Sequence, residues 1–465
     1  MQKASINKIT IINLLSTLLL NSITFITAPL FSRMLGVYNY GIISIYNVAI
    51  NIITMSFGLQ ATGTYGIAKL EFSQEEQLAY RSSALGLSIT AYGIISVITV
   101  ALGSPIANMI GIPKPLIYIL LVQGLGQICV GALNGSYMMD FRARENLIIS
   151  LIASVLSVAL SCVIIINMPN EVNYYGRAAG RAITYAVVGC VTAVVLFRMG
   201  KTFYSKKYWR FCLPVAVPTV FHSLSGIVLN SCDKLMLQRL SSTEAVGLYG
   251  MALSFAGVMS IIWNTLNKTW VPFYCEFMRQ DDGNSIKKHG ENYVELFSVL
   301  TLGFMLLTPE VFKAYASEEF WGGLQSIPVL ALGFYFVFLY SFPVNYEFFR
   351  KRTKTIAMVT FSAALINVVL NYFLIQSHGL VGASVATVIA HFLQFLFHLF
   401  AASMINKEEK KHFPLASMAV WGSICVITCI ALFVINTDGA IIRWAIGAAL
   451  GVFELWRMIK RKALF

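Results

Sequence analysis

Runs of about twenty predominantly apolar residues follow one another along nearly the whole chain, and no feature constrains the fold more. A hydrocarbon core roughly 30 Å thick is crossed by about that many residues of helix at ~1.5 Å each. The 465 residues are 57% hydrophobic and 12% charged. A soluble domain carries about a quarter charged residues, because its surface faces water. This surface must face lipid, so an all-α polytopic membrane protein is expected.

Fourteen spans are read from the pattern: 9–35, 41–66, 83–102, 115–133, 147–168, 178–197, 211–238, 246–264, 293–311, 325–346, 356–375, 381–401, 415–435 and 440–456. The start, with Lys3 and Lys8 before an apolar stretch, imitates a signal peptide. The apolar run continues through Pro29 to Leu35 without a small-residue cleavage site, so a retained first helix is expected. With the N-terminus in the cytoplasm, inside segments hold 26 of the 34 Lys and Arg. Positive charge concentrated on the cytoplasmic side is what orients such proteins, and both termini are expected there. The net charge of +13 therefore reflects topology rather than nucleic-acid binding. The eight cysteines show no spacing of a disulfide framework or zinc site, and Cys425 and Cys429 read as packing on one helix face.

The chain also carries an internal repeat. The stretch from Phe31 to Asn47 corresponds to Leu237 to Ala252, each with an Arg near a helix end followed by Tyr-Gly or its equivalent. Tyr174 to Ile183 corresponds to Leu380 to Ile389. Tyr40 lies 209 residues before Tyr249, and Gly176 lies 206 before Gly382. Two matches in one order at nearly one offset argue for duplication. Six spans per repeat is an even number, so the halves run parallel and are related by an axis along the membrane normal. The expected organisation is a lobe over 1–205, a second over 206–405, and two added helices over 406–465.

These residues support a resemblance. Arg33-Met-Leu-Gly with Tyr40-Gly41 is the first pattern, and Asp233-Lys-Leu-Met-Leu followed by Val246-Gly247-Leu-Tyr249 the second. Thr308 to Gly333 supplies the third. The fourth is Asn367-x3-Asn371-x3-Ile375 with Gly379-x2-Gly382-Ala383 and Thr387. The sequence resembles the polysaccharide transporters, Wzx-like flippases of O-antigen and capsule repeat units. Their superfamily also holds the MATE exporters and lipid II flippases. The resemblance implies two six-helix lobes around a central cavity, often with two further helices. It implies a flippase for undecaprenyl-diphosphate-linked oligosaccharide in the bacterial cytoplasmic (inner) membrane. The partners implied are that lipid, the bilayer and polysaccharide polymerase machinery. No cofactor, metal or nucleic acid is expected.

A diphosphate substrate asks for Arg or Lys in a hydrated space, with guanidinium able to grip phosphate bidentately. Arg177 and Arg181 lead, four residues apart on one face near the outer end of the sixth span. Their repeat counterparts are Ala383 and Thr387. Snorkelling to the interface is the competing reading, and the scarcity of external positive charge favours the cavity. Arg33 and Arg239 match each other in the repeat and read equally as substrate contacts or as ties to loop carbonyls. Asp233 reads as an ion-pair partner or a coupling-cation site, beside Lys234. Lys268, next to Asn267 and ahead of Pro272, either meets the diphosphate on the inner side or snorkels. His391, Gln394 and His398 read as interhelical hydrogen bonding. Ser16, Asn21, Ser22, Thr24 and Thr27, ending in Pro29, read as a cavity-facing side with a bend.

Gly200-Lys201-Thr202 is no phosphate-binding loop, since Val195 stands where that loop needs glycine. A membrane enzyme acting on lipid-linked sugars would need acid or base residues on an extramembrane loop. The longest inner loop expected, 265–292, lacks a paired acidic motif. A MATE-type exporter of cationic drugs would need cavity carboxylates, whereas the charges within spans are mainly basic. A transporter without enzyme activity is the reading retained.

Overall fold

The computed structural model describes residues 3–406, 412–434 and 439–461, the side chains of 3–18 and of 21, 222, 225, 229 and 230 excepted. Among the described residues the regular structure is entirely helical. The chain divides into two compact units, Met1–Arg239 and Leu240–Phe465. The first holds α1 (Lys3–Phe57), α2 (Tyr65–Glu71), α3 (Gln74–Ala101), α4 (Gly103–Ile110), α5 (Lys114–Met139), α6 (Ala143–Ile166), α7 (Tyr174–Gly200) and α8 (Lys206–Leu240). The second holds α9 (Thr243–Ala256), α10 (Val258–Arg279), α11 (Gly283–Tyr315), α12 (Ser326–Phe349), α13 (Thr353–Ile405), α14 (Leu415–Val434) and α15 (Ala440–Arg461).

Among the described residues, 11 helical stretches are long and apolar enough to cross a membrane. Three of them, Ser22–Phe57, Thr243–Arg279 and Thr353–Ile405, are too long for one pass. The 53 residues of α13 would extend ~80 Å if straight. Gly379, at φ 55° and ψ −129°, breaks it into 353–378 and 380–405. Gly36, at φ 69° and ψ 173°, breaks α1 in the same way. Both backbone conformations are open chiefly to glycine. The loops expected at 36–40 and 376–380 are therefore single-residue breaks, and Pro29 lies within the helix ahead of the first of them. The last helix, α15, with Arg443, Glu454, Arg457, Lys460 and Arg461, is too charged to count among the 11.

One expectation is overturned outright. The supposed inner loop 265–292 is mostly helix, the end of α10 and the start of α11, with only residues 280–282 between them. The α10 segment buries Trp270 and Tyr274 while exposing Lys268, Thr269 and Glu276. Average hydropathy cannot see such a two-sided helix, whereas periodicity can.

Lipid is as apolar as leucine, so helices in it associate through close packing rather than through hydrophobic exclusion. In the first unit α5 and α7 meet at glycines. A Cβ at Gly126 would overlap the Tyr185 carbonyl, and one at Gly189 would lie 2.5 Å from Gly126 Cα. That contact sets how closely α7 lies against α5. The start of α8 seats Tyr208 and Cys212 against Phe72 and Tyr80 from the α2–α3 region. The second unit is held by aromatic packing, including Tyr293 edge-on to Phe338 at 4.9 Å between ring centroids. Its last helix is fastened to α11 by ion pairs near both ends: Arg443 with Glu310, and Arg457 and Arg461 with Glu295 at 2.7 Å each.

Candidate functional site

The first unit brings Arg177 and Arg181 onto one wall with α1 and α6. Asn173, just before α7, donates to the Met34 carbonyl at 2.7 Å and accepts from Asn39 at 3.0 Å. These bonds fix the start of α7 against α1 near its glycine break. Arg177 follows one turn later and is half-buried. Its Nη1 donates to Ser161 Oγ of α6 at 3.1 Å, and its guanidinium lies 3.7 Å from the Phe31 ring centroid. Arg181 is also half-buried and donates to Asn47 Oδ1 on the second half of α1.

Each guanidinium thus commits one nitrogen to one neutral acceptor. Neither forms an ion pair among the described residues. Arg has five N–H donors in a planar fork, so most remain uncommitted on both side chains. Two adjacent, partly desolvated cations with free donors can bind a doubly charged phosphate group.

The other expected residues are distributed differently. Arg33 is exposed on α1, just ahead of the Gly36 break. Arg239 donates to the carbonyls of Asn108 and Met109 at the end of α4, and Gln238 donates to the Gly111 carbonyl at 3.1 Å. A cation at the carbonyl end of a helix also meets its negative dipole end. Asp233 is buried and accepts the Lys234 backbone N–H at 2.8 Å, with Lys234 half-buried. In the second unit Lys268 is exposed on α10, while Asn267 accepts from Asn345 of α12 at 3.1 Å. Thr24 and Thr27 bond carbonyls of their own helix. The side chains of Ser16 and Asn21 lie outside the described residues.

The sequence reading missed a partner in the second unit. His398 and Glu347 are both 0% exposed, with His398 Nδ1 at 3.1 and 3.2 Å from the two carboxylate oxygens. His391 pairs with Gln394 inside α13 rather than across helices. A glutamate within the aromatic run Tyr346 to Phe349 was the available signal, since a buried carboxylate needs a partner.

The model of a family described as "polysaccharide biosynthesis protein" matches residues 6–278, more than half the chain. The chain belongs to that family. A membrane protein of Haemophilus influenzae (strain ATCC 51907 / DSM 11121 / KW20 / Rd), itself described as uncharacterized, is 23% identical over 372 residues, covering 76% of this chain and 87% of the relative. Among solved structures, lipid II flippase MurJ in an inward closed conformation matches with a TM-score of 0.70 at 15% identity over 98% of both chains. An inward-facing multidrug resistance MATE family transporter matches with a TM-score of 0.69 at 14% identity, over 86% of this chain and 99% of the other. This member of the polysaccharide biosynthesis family is therefore a multi-pass membrane protein with a fold shared by flippase and transporter structures.

Proposed function

We propose that the protein flips undecaprenyl-diphosphate-linked oligosaccharide repeat units from the inner to the outer leaflet of the bacterial cytoplasmic membrane. The product serves O-antigen, capsule or exopolysaccharide synthesis. The proposed topology has fourteen spans with both termini cytoplasmic, in lobes over 1–205 and 206–405 plus two added helices. The mechanism is alternating access, with the polyprenyl tail remaining in lipid. Only the head group needs a polar route, because an unpaired diphosphate in hydrocarbon would cost many kcal/mol.

One observation carries this reading: Arg177 and Arg181 share a face of α7, half-buried, with uncommitted donors and no carboxylate partner among the described residues. A cation exporter would gain nothing from two such cations. Membership of the polysaccharide biosynthesis family supports the sugar-lipid substrate, and the fold supports transport. Arg33, Lys234 and Lys268 are proposed as further head-group contacts, and Asp233 as an ion-pair or cation-coupling group.

The test is complementation of a flippase-null strain by the Arg177→Gln, Arg181→Gln double variant at normal protein level. Loss of two charge-assisted bonds, each worth ~1.5 kcal/mol or more, should cut surface polysaccharide roughly a hundredfold. Lys at both positions should restore part of it, keeping charge but losing the fork. Full complementation by the Gln variant would overturn the reading.

A further inference from the structure

The second half of α1 is almost entirely buried from Gly41 to Ile53, with Asn47, Asn51 and Ile52 the exceptions. Asn47 and Asn51 lie one turn apart, and Thr54, also accessible, continues their face. Asn47 holds Arg181. Thr54, about 10 Å further along the helix, lines a cavity of about 160 Å³ within the first unit. Polar side chains at such depth belong against water or a polar ligand rather than acyl chains. Asn47, Asn51 and Thr54 thus run along one helix face from the residue that holds Arg181 to the edge of the cavity.

The cavity has its own chemistry. Gln60, Thr62, Gln127 and Thr54 bring amide and hydroxyl groups to it, Tyr65 adds an aromatic ring, and no charged side chain lines it. Among the described residues the side chains of Gln60, Thr62 and Gln127 have no hydrogen-bond partner. Leu59 and Gln60 are successive non-glycine residues in the left-handed region, at φ 54° and 50°. That conformation is uncommon for side-chain-bearing residues, and here it turns the chain from α1 into the cavity wall. Gly131 opens the opposite side, where an added Cβ meets nothing within 4 Å.

We propose that this cavity is a subsite for an uncharged sugar of the substrate head group, separate from the cationic pair that takes the diphosphate. The inference rests on the flippase reading and adds where the sugar binds. Amides donate and accept at once, as sugar hydroxyls do, and an aromatic ring offers its face to sugar C–H groups. A phosphate or acidic group would find no cation among the residues lining the cavity.

The test uses purified full-length protein and two probes. One is lipid-linked oligosaccharide extracted from cells of the source organism lacking this protein, and the other is undecaprenyl diphosphate carrying no sugar. Bound lipid is measured by native mass spectrometry. Gln127→Ala and the cavity-filling Gly131→Leu should each lower binding of the glycosylated probe about tenfold, leaving the sugar-free probe unchanged. Gly93→Leu adds the same bulk on α3, where an added Cβ also meets open space, and should keep both probes bound. The Arg177→Gln, Arg181→Gln double variant should lose both. Pocket variants that bind the glycosylated probe normally, while the arginine variant does not, would overturn the subsite alone. Equal loss of both probes in Gln127→Ala, with an unchanged melting temperature, would also overturn it. Wild-type protein that binds neither probe would overturn the flippase reading and the subsite with it.

Discussion

The α6–α7 hairpin and the hairpin formed by the two halves of α13 are matched by the proposed sequence repeat, yet only the first has arginines at the matched positions, 177 and 181 against Ala383 and Thr387. Both use a glycine at the repeat position to lay one helix on its predecessor. At Gly176 an added Cβ would sit 3.0 Å from Ile165 N, whereas at Gly382 it would overlap the Leu374 carbonyl oxygen. The connections differ in the same sense: residues 167–173, with a short 3-10 turn at Asn170–Val172, against the single Gly379. The tighter hairpin buries Ala383 completely, and Thr387 bonds the Ala383 carbonyl at 3.0 Å. The α6–α7 hairpin carries Arg177 and Arg181 instead, although it too packs closely between them, where an added Cβ at Gly180 would lie 2.5 Å from Ser161 N. The two hairpins thus differ in how closely they pack just after the connection, at Gly176 and Gly382, and in which of them holds the arginines.

The harshest way to break that comparison is Ala383→Arg. A guanidinium at a fully buried alanine is both overpacked and without a prepared partner, a cost of about 3 kcal/mol or more. Folded yield and melting temperature in detergent should fall steeply. A folded variant that restores transport to the Arg177→Gln, Arg181→Gln protein would show the second hairpin to be equally open.

A smaller effect separates the glycines themselves. Alanine is favoured over glycine within a helix by ~1 kcal/mol, which offsets a mild contact but not a backbone overlap. Gly176→Ala should therefore change stability by less than ~1 kcal/mol, while Gly382→Ala should cost ~1–3 kcal/mol. The reverse order in thermal melting would remove the packing argument.

Legibility in the sequence followed the physics of each signal. The sixth span was read as 178–197, and α7 runs from Tyr174 to Gly200, because uniform hydropathy reports lipid contact directly. Arg177 and Arg181 stood out because charge in such a span needs a reason. The α10 segment was hidden because a helix with one polar face averages to a loop. The breaks at Gly36 and Gly379 fall inside the expected loops 36–40 and 376–380, and only their one-residue form was not legible, because a single glycine can reverse the chain without interrupting the helix on either side. The His398–Glu347 pair joins residues 51 positions apart on different helices, and spacing within one segment cannot show it. Ser161, Phe31 and Asn47 were likewise invisible as partners of the arginines, since each arrives from another helix.

Those partners supply the finest test of the two hairpins. Ser161→Ala removes the hydrogen bond that Arg177 Nη1 donates to α6, together with the one Ser161 Oγ donates to the Arg177 carbonyl at 3.3 Å, but keeps the Phe31 ring beneath the guanidinium. A net hydrogen bond is worth ~0.5–1.5 kcal/mol, so head-group transport should fall by about two- to tenfold rather than vanish. Phe31→Leu removes a cation–π contact worth ~0.5–2 kcal/mol and should fall in the same range. Because both act on one guanidinium, the double variant should depart from the product of the single effects. On the second hairpin, Thr387→Val deletes a hydroxyl that bonds only its own helix backbone, at 3.0 Å to the Ala383 carbonyl. That change should leave transport unaltered at equal protein level. If Thr387→Val slows transport as much as Ser161→Ala does, the polar chemistry is shared by both copies, and the contrast between a charged and a silent hairpin fails.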